Sequence, residues 1–231
     1  MFDQIEQGAT RTLPIFPLPL VLMPGEALPL HIFEDRYRLM LVDIAETDDR
    51  FGISFLDMSE TDDDRPEPGS VGCIAEVRES AMLDDGRSNI STFGIERYRI
   101  VRYLDDGKPY NVAEVEPIYD VDEPDGETIE LAASAYELFS RVVKAALKLS
   151  GKEGPLPDLP KSEPEMLSFL IVAAFNFEND LKYRMLASTS TKERLTEICE
   201  TLARSVSQIE ENADLHSAAK SNGHSKKKIG L

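Results

Sequence analysis

The side chains of this chain with the means to do chemistry are three histidines, two cysteines and a surplus of carboxylates. A zinc centre needs Cys and His clustered at short spacing. Cys73 and Cys199 stand alone, and His216 and His224 lie in a polar C-terminal stretch, so no metal site is expected. Asp62-Asp63-Asp64 lacks the alternating ligands, central glycine and distal glutamate of a calcium loop. Ser150-Gly151-Lys152-Glu153 fails as a phosphate loop, with Ala146 where the first glycine belongs and Glu153 in place of the hydroxyl residue. There is no GxGxxG and no GxSxG. His31 has the pKa range of a general base, but it sits in a run of apolar residues, and a structural or surface role is the expectation. Cys73 follows Gly72 on an expected strand and reads as an inert core thiol. The pattern predicts neither enzyme nor cofactor.

The elements around these residues change character along the chain. Leu13–Leu18 is extended, and its alternating prolines suit an edge strand or a chain entry. Pro24-Gly25-Glu26 is a turn, and Ala27–Phe33 a strand. Glu34–Ala45 places apolar residues at 37, 40, 41 and 44, one face of a helix. Strands follow at Arg50–Leu56, Val71–Ser80, Ser88–Leu104 and Tyr110–Tyr119. Asp84-Asp85-Gly86 and Asp105-Asp106-Gly107 make hairpin turns, and Gly94 marks a bulge. Mostly antiparallel strands with one early helix point to a small closed or half-closed barrel.

Beyond Asp120 the pattern turns helical. Val121–Gly126 is a linker, and Glu127–Ser150 a long helix with apolar positions 131, 135, 138, 139, 142, 146 and 149, ended by Gly151. Gly154–Pro160 is a proline-rich connection. Ser162 with Glu165 caps a helix whose face is Phe169, Leu170, Ala173, Ala174 and Phe177. A short helix spans Asn179–Ala187. Ser190 with Glu193 caps the last, whose face is Leu195, Ile198, Leu202, Val206 and Ile209. The expected domains are a β-rich unit over 11–120, a helical bundle over 127–211 and a disordered tail over 212–231.

Charge narrows the partners. With 43 acids against 25 bases the net charge is −18, which repels phosphate backbones and anionic lipid. No apolar run is long enough to span a membrane, the N-terminus has no signal-peptide pattern, and lone cysteines fit a reducing compartment. A cytoplasmic protein with no nucleic-acid or membrane partner is expected. Residues 57–68 carry six acids against one arginine and read as a solvated loop.

Leu13-Pro14-Ile15-Phe16-Pro17-Leu18-Pro19-Leu20-Val21-Leu22-Met23-Pro24-Gly25, followed by Leu28–Glu34 and Arg36-Tyr37, resembles the start of the substrate-binding N-terminal domain of ATP-dependent Lon proteases. Val71–Val77, Asp84–Arg87, Gly94–Ile100, Pro109-Tyr110 with Ala113–Glu116, and Leu186 with Thr191–Leu195 keep that domain's order over about residues 11–208. The resemblance implies an α+β fold, a PUA-like β pseudo-barrel followed by a C-terminal helical bundle. Lon proteases carry an ATPase module and a Ser-Lys protease module after this domain. Neither has a counterpart in these residues, so a stand-alone, non-catalytic binding module concerned with protein quality control is expected. Its partners would be unfolded or extended polypeptide and a separate ATP-dependent protease. The alternatives are an ATP-independent peptidase or hydrolase, and an adaptor that delivers clients to a separate ATP-dependent protease. The candidate peptide-binding residues are Ile15, Phe16, Leu18, Leu20, Leu22, His31 and Phe33, chosen because the prolines limit pairing of the first segment and leave apolar surface available.

Overall fold

A computed structural model describes residues 10–57, 65–151, 154–156, 159 and 163–222. Six strands and five helices follow in the order β1 (Arg11–Leu18), β2 (Ala27–Ile32), α1 (Asp35–Ala45), β3 (Arg50–Phe55), β4 (Val71–Met82), β5 (Ser88–Leu104), β6 (Asn111–Pro117), α2 (Asp125–Ser150), α3 (Pro164–Ala174), α4 (Asn179–Ala187) and α5 (Thr191–Asn222). The fold is α+β, as expected.

The strand order is β2-β5-β4-β3-β1-β6, and β5 also pairs with β6. Five strands therefore close into a ring, and β2 is appended to it along the first half of β5. All pairings are antiparallel except β1 with β3, which are parallel. Parallel neighbours need a crossover, and the β2–α1 segment supplies it. Gly52 and Gly72 are required where the ring is tightest: a Cβ on either would stand 2.5 Å from the Tyr98 hydroxyl oxygen. Tyr98 is fully buried and shares a 2.6 Å hydrogen bond with Ser54. Around it pack Leu13, Ile15, Ile74, Ile100, Ala113 and Val115.

The first strand corrects one expectation. β1 is interior to the sheet, not an edge. Residues 11–15 pair with β6 and residues 15–18 with β3, so the two ladders are staggered. Pro14 lies where only β6 is paired and Pro17 where only β3 is, which leaves each proline's missing N–H directed at an unpaired side.

The molecule divides into two compact units. One holds the barrel, α1 and residues 172–189; the other holds residues 122–171 and the chain from Ser190. Residues 172–189 group with the strands for a definite reason. Buried Arg97 donates from Nη1 to the carbonyl oxygens of Leu186 and Ser188 at 3.0 and 2.5 Å and pairs with Asp120 at 2.5 Å. The Tyr183 hydroxyl accepts from Val71 N–H.

In the other unit α2 ends at Gly151, whose φ is 67°. Its buried stripe is Ala132, Ala135, Phe139, Val142 and Ala145. Ala146 is exposed, so the stripe runs one position off the expected face at both ends. α3 buries Leu167, Phe169, Ile171 and Val172 and is apolar nearly all round, whereas Ala174 is exposed and Phe177 lies beyond the helix. Ser162 falls outside the described residues. Ser190 caps α5 through Glu193 N–H at 3.0 Å, and Leu195, Ile198, Leu202 and Val206 are buried as expected. α5 continues to Asn222, past the boundary placed at 211, through Ala, Leu and Lys residues that favour helix. Most of the acidic loop, residues 58–64, and the tail from 223 on lie outside the described residues.

Candidate functional site

β2 owes its position to a turn. Glu26 N–H donates to the Met23 carbonyl at 3.1 Å, with Pro24 and Gly25 (φ 81°) at the two central positions. That is a type II turn, which requires a positive φ at its third residue. Gly25 N–H donates to the Gly94 carbonyl at 2.8 Å, and Gly94 N–H to the Glu26 carbonyl at 2.9 Å. Two residues of one strand thus oppose one of the other, the bulge that opens on a left-handed glycine. Gly94 can be nothing larger, because a Cβ there would fall 2.2 Å from the Met23 carbonyl oxygen.

This arrangement sets the parity of the strand that follows. With Glu26 and Gly94 hydrogen-bonded, the register pairs Leu28 with Thr92, Leu30 with Ile90 and Ile32 with Ser88 as the next bonded positions. Ala27, Pro29 and His31 then direct their backbone groups away from β5. Their side chains are exposed, whereas Leu28 and Leu30 are half-buried and Ile32 is buried. Among the described residues no strand pairs with this outer edge.

At the C-terminal end of β2 several side chains meet. The His31 Nδ1 lies 2.7 Å from Asn89 Oδ1. Its Nε2 lies 3.4 Å from Arg87 Nη1. Both contacts are satisfied when Nδ1 carries the proton and Nε2 accepts. The imidazole and the Phe33 ring stack at 6.2 Å between centroids and 26° between planes. Phe33 is 61% exposed, and Met82, at the end of β4, 79%. Met82 and Ile32 flank Ser88 in the sheet register, so both ends reach the same corner.

The β4–β5 hairpin completes the corner. Leu83 N–H donates to the Arg87 carbonyl and Gly86 N–H to the Leu83 carbonyl. Asp85 accepts from both Arg87 N–H and Arg87 Nε, and this holds its carboxyl below the usual range. Gly86 has a φ of 80°, and a Cβ there would collide with the Arg38 guanidinium, so α1 lies against the turn. Arg38 is paired with Asp35 at 2.9 Å and Arg36 with Glu34 at 2.9 Å. Each of these arginines thus has a carboxylate partner close by, Arg87 with Asp85, Arg38 with Asp35 and Arg36 with Glu34.

The other candidates distribute differently. Ile15, Phe16 and Leu22 are 0, 7 and 1% exposed and are committed to the core. The Phe16 ring lies 4.0 Å from that of Tyr37 and 6.1 Å from that of Phe51. For Ile15 and Phe16 the physical reason is the staggered pairing of β1, which encloses a segment whose prolines suggested availability; Leu22 lies past the end of that strand and is buried together with Val21 and Met23. Leu18 and Leu20 are half-buried, near Pro19, whose carbonyl accepts from Asn179 Nδ2 at 3.1 Å. Of the expected set, His31 and Phe33 alone are exposed and in contact with each other. Arg38, Met82, Arg87 and Asn89 escaped the sequence reading. Their meeting depends on strand register, and the only local signal was the Asp-Gly hairpin that brings Arg87 back along β4.

The expectations about chemistry meet the following geometry. Burial pushes the Cys73 thiol well above its ordinary range, which disfavours the thiolate. The hydrogen-bond partners of His31 are an amide oxygen and a guanidinium, neither a nucleophile nor an orienting carboxylate. Among the described residues no group of His, Cys, Asp or Glu is placed to hold a metal ion, and no helix is long and apolar enough to cross a membrane.

The sequence pattern of the ATP-dependent protease La (LON) substrate-binding domain matches residues 12–204. The chain belongs to this family. It is 26% identical over 189 residues to the Lon protease of Bacillus thuringiensis (strain Al Hakam), covering 80% of this chain and 23% of that protein. The chain therefore spans about a quarter of that relative's length. The fold is that of the Lon N-terminal domain protein from Xanthomonas campestris, with a TM-score of 0.59 at 22% identity over 81% of this chain and 96% of that one. The N-terminal domain of the Mycobacterium avium complex Lon protease also has a TM-score of 0.59, at 16% identity, over 84% and 98% of the two chains. Within this Lon substrate-binding domain, Met82 and Phe33 are the most exposed of the large apolar side chains among the described residues.

Proposed function

We propose that this chain binds unfolded or extended polypeptide at the corner formed by His31, Phe33, Met82, Arg87 and Asn89, and breaks no bonds itself. The observation that carries the reading is Phe33, a large aromatic ring left 61% exposed and stacked on a histidine that its neighbours hold in place. Rigid aromatic groups with fixed surroundings are the usual anchors of binding surfaces. Membership of a substrate-binding family supports the ligand class. A role in protein quality control follows, in which a separate ATP-dependent protease receives what the domain holds.

Fluorescence anisotropy with a labelled, chemically unfolded polypeptide tests the proposal. A Kd of about 10 μM or tighter is expected. Phe33→Ser should weaken binding about tenfold without altering the far-UV spectrum. Absence of binding to several unfolded substrates would overturn it. Incubation with casein separates the peptidase alternative: turnover abolished by His31→Ala would replace the binding reading with a catalytic one.

A further inference from the structure

We infer that the polypeptide bound at this corner pairs its backbone with the outer edge of β2, and that Pro29 restrains the affinity of that pairing. The inference rests on the proposed function and specifies how the ligand is held. The turn and bulge at Met23–Glu26 fix which backbone groups of β2 face away from β5. Ala27 and His31 each offer an N–H and a carbonyl there. Pro29, between them, offers only a carbonyl. Among the described residues these groups have no hydrogen-bond partner. A row of unpaired donors and acceptors on a sheet edge is a template for one more strand, and only an extended backbone presents the complementary row. Phe33 lies on the same face as His31 and stands at the end of this row, where a side chain of the added strand would meet it.

Proline limits how far this edge can propagate as a continuous ladder. It removes one bond from the middle of the ladder, a recognised way of blunting an edge. A ligand therefore binds with fewer backbone bonds than the strand's length allows. Sequence tolerance follows as well, because backbone pairing reads no side chains and leaves discrimination to the contact at Phe33.

The test uses the whole chain and a labelled nine-residue peptide of alternating Phe and Thr, with two N-methylated versions, one carrying methyl groups on the Phe amides and one on the Thr amides. In a paired strand the amides of one parity face the edge and those of the other face solvent. One methylated peptide should lose at least about tenfold in affinity and the other should stay within about threefold of the parent. Pro29→Ala restores the missing donor and should bind the parent peptide about three- to tenfold tighter. Equal effects of the two methylation patterns overturn the inference and leave polypeptide binding standing, as does an unchanged affinity in a natively folded Pro29→Ala protein. Failure of all three peptides, together with unfolded polypeptide, removes the proposed function itself.

Discussion

The two halves of β5 live in different surroundings. From Arg97 to Leu104 the strand belongs to the closed ring: residues up to Arg99 pair with β4, Tyr98 to Leu104 pair with β6, and Arg97, Tyr98 and Ile100 are buried. From Ser88 to Phe93 it runs between β4 and β2, and β2 has an unpaired outer edge. The closed half concentrates what costs most to disturb: Tyr98 seated over two glycines, and Arg97 in a buried ion pair. The open half carries exposed rings and backbone groups whose only saturating partner is water or another chain. If polypeptide binds at the proposed corner, stability and binding belong to opposite ends of one strand, and substitutions in one half should leave the other property largely intact.

The strongest way to break that separation is Gly72→Val. Its Cβ would stand 2.5 Å from the Ile53 carbonyl oxygen and from the Tyr98 ring, and the backbone atom cannot yield cheaply. A loss of about 3 kcal/mol or more is expected in urea denaturation. Asp120→Asn should follow closely. It leaves the Arg97 guanidinium, whose side chain is 2% exposed, without its carboxylate, at a cost of about 3 kcal/mol. Phe33→Ser, at the open end, should change stability by less than about 0.5 kcal/mol while weakening polypeptide binding about tenfold. An equal loss of stability in Phe33→Ser would show that the corner is structural.

The smallest effect concerns pH. Hydrogen bonds from Lys108 and then Tyr110 hold the Asp43 carboxyl below the usual range. Burial and the same contact push the Tyr110 hydroxyl up. A lowered carboxylate contributes stability that is full above its unfolded value, about 4, and is lost as pH falls through the lowered value. The raised phenol contributes stability that is full below about 10 and lost as pH rises beyond that. The gap in urea midpoint between the native chain and Asp43→Asn should therefore be constant between these limits and close at acid pH. A gap that persists at pH 2 would contradict the assignment.

Much of the architecture was legible because its signals are local. Asp-Gly pairs marked both hairpins, Gly151 ended α2, and Ser190 with Glu193 opened α5. The β strands alternated or ran apolar where they are buried. The parts that were not legible depend on partners distant in sequence. Prolines at 14 and 17 read as incompatible with an interior strand, and only the staggered ladders to β3 and β6 reconcile them with it. For the same reason Ile15 and Phe16 read as available surface and are core. His31 and Phe33 were legible as candidates by residue type. The contacts of His31 with Arg87 and Asn89 follow from the register of β2 on β5, which the bulge at Gly25 sets. The buried stripe of α2 begins at Ala132 and reaches Ala145, one position from the expected Leu131 and Ala146, while Ala135, Phe139 and Val142 are buried where expected.

Amide hydrogen exchange, followed residue by residue in the free chain and with the Phe/Thr peptide added, tests the division between the two halves most directly. The Ile100 amide, bonded to the Ser70 carbonyl at 3.0 Å, should be protected in both samples. The His31 amide should exchange rapidly in the free chain and slow at least about tenfold on adding peptide. Protection of His31 before any peptide is added, or peptide-induced slowing confined to the closed half, would contradict the account.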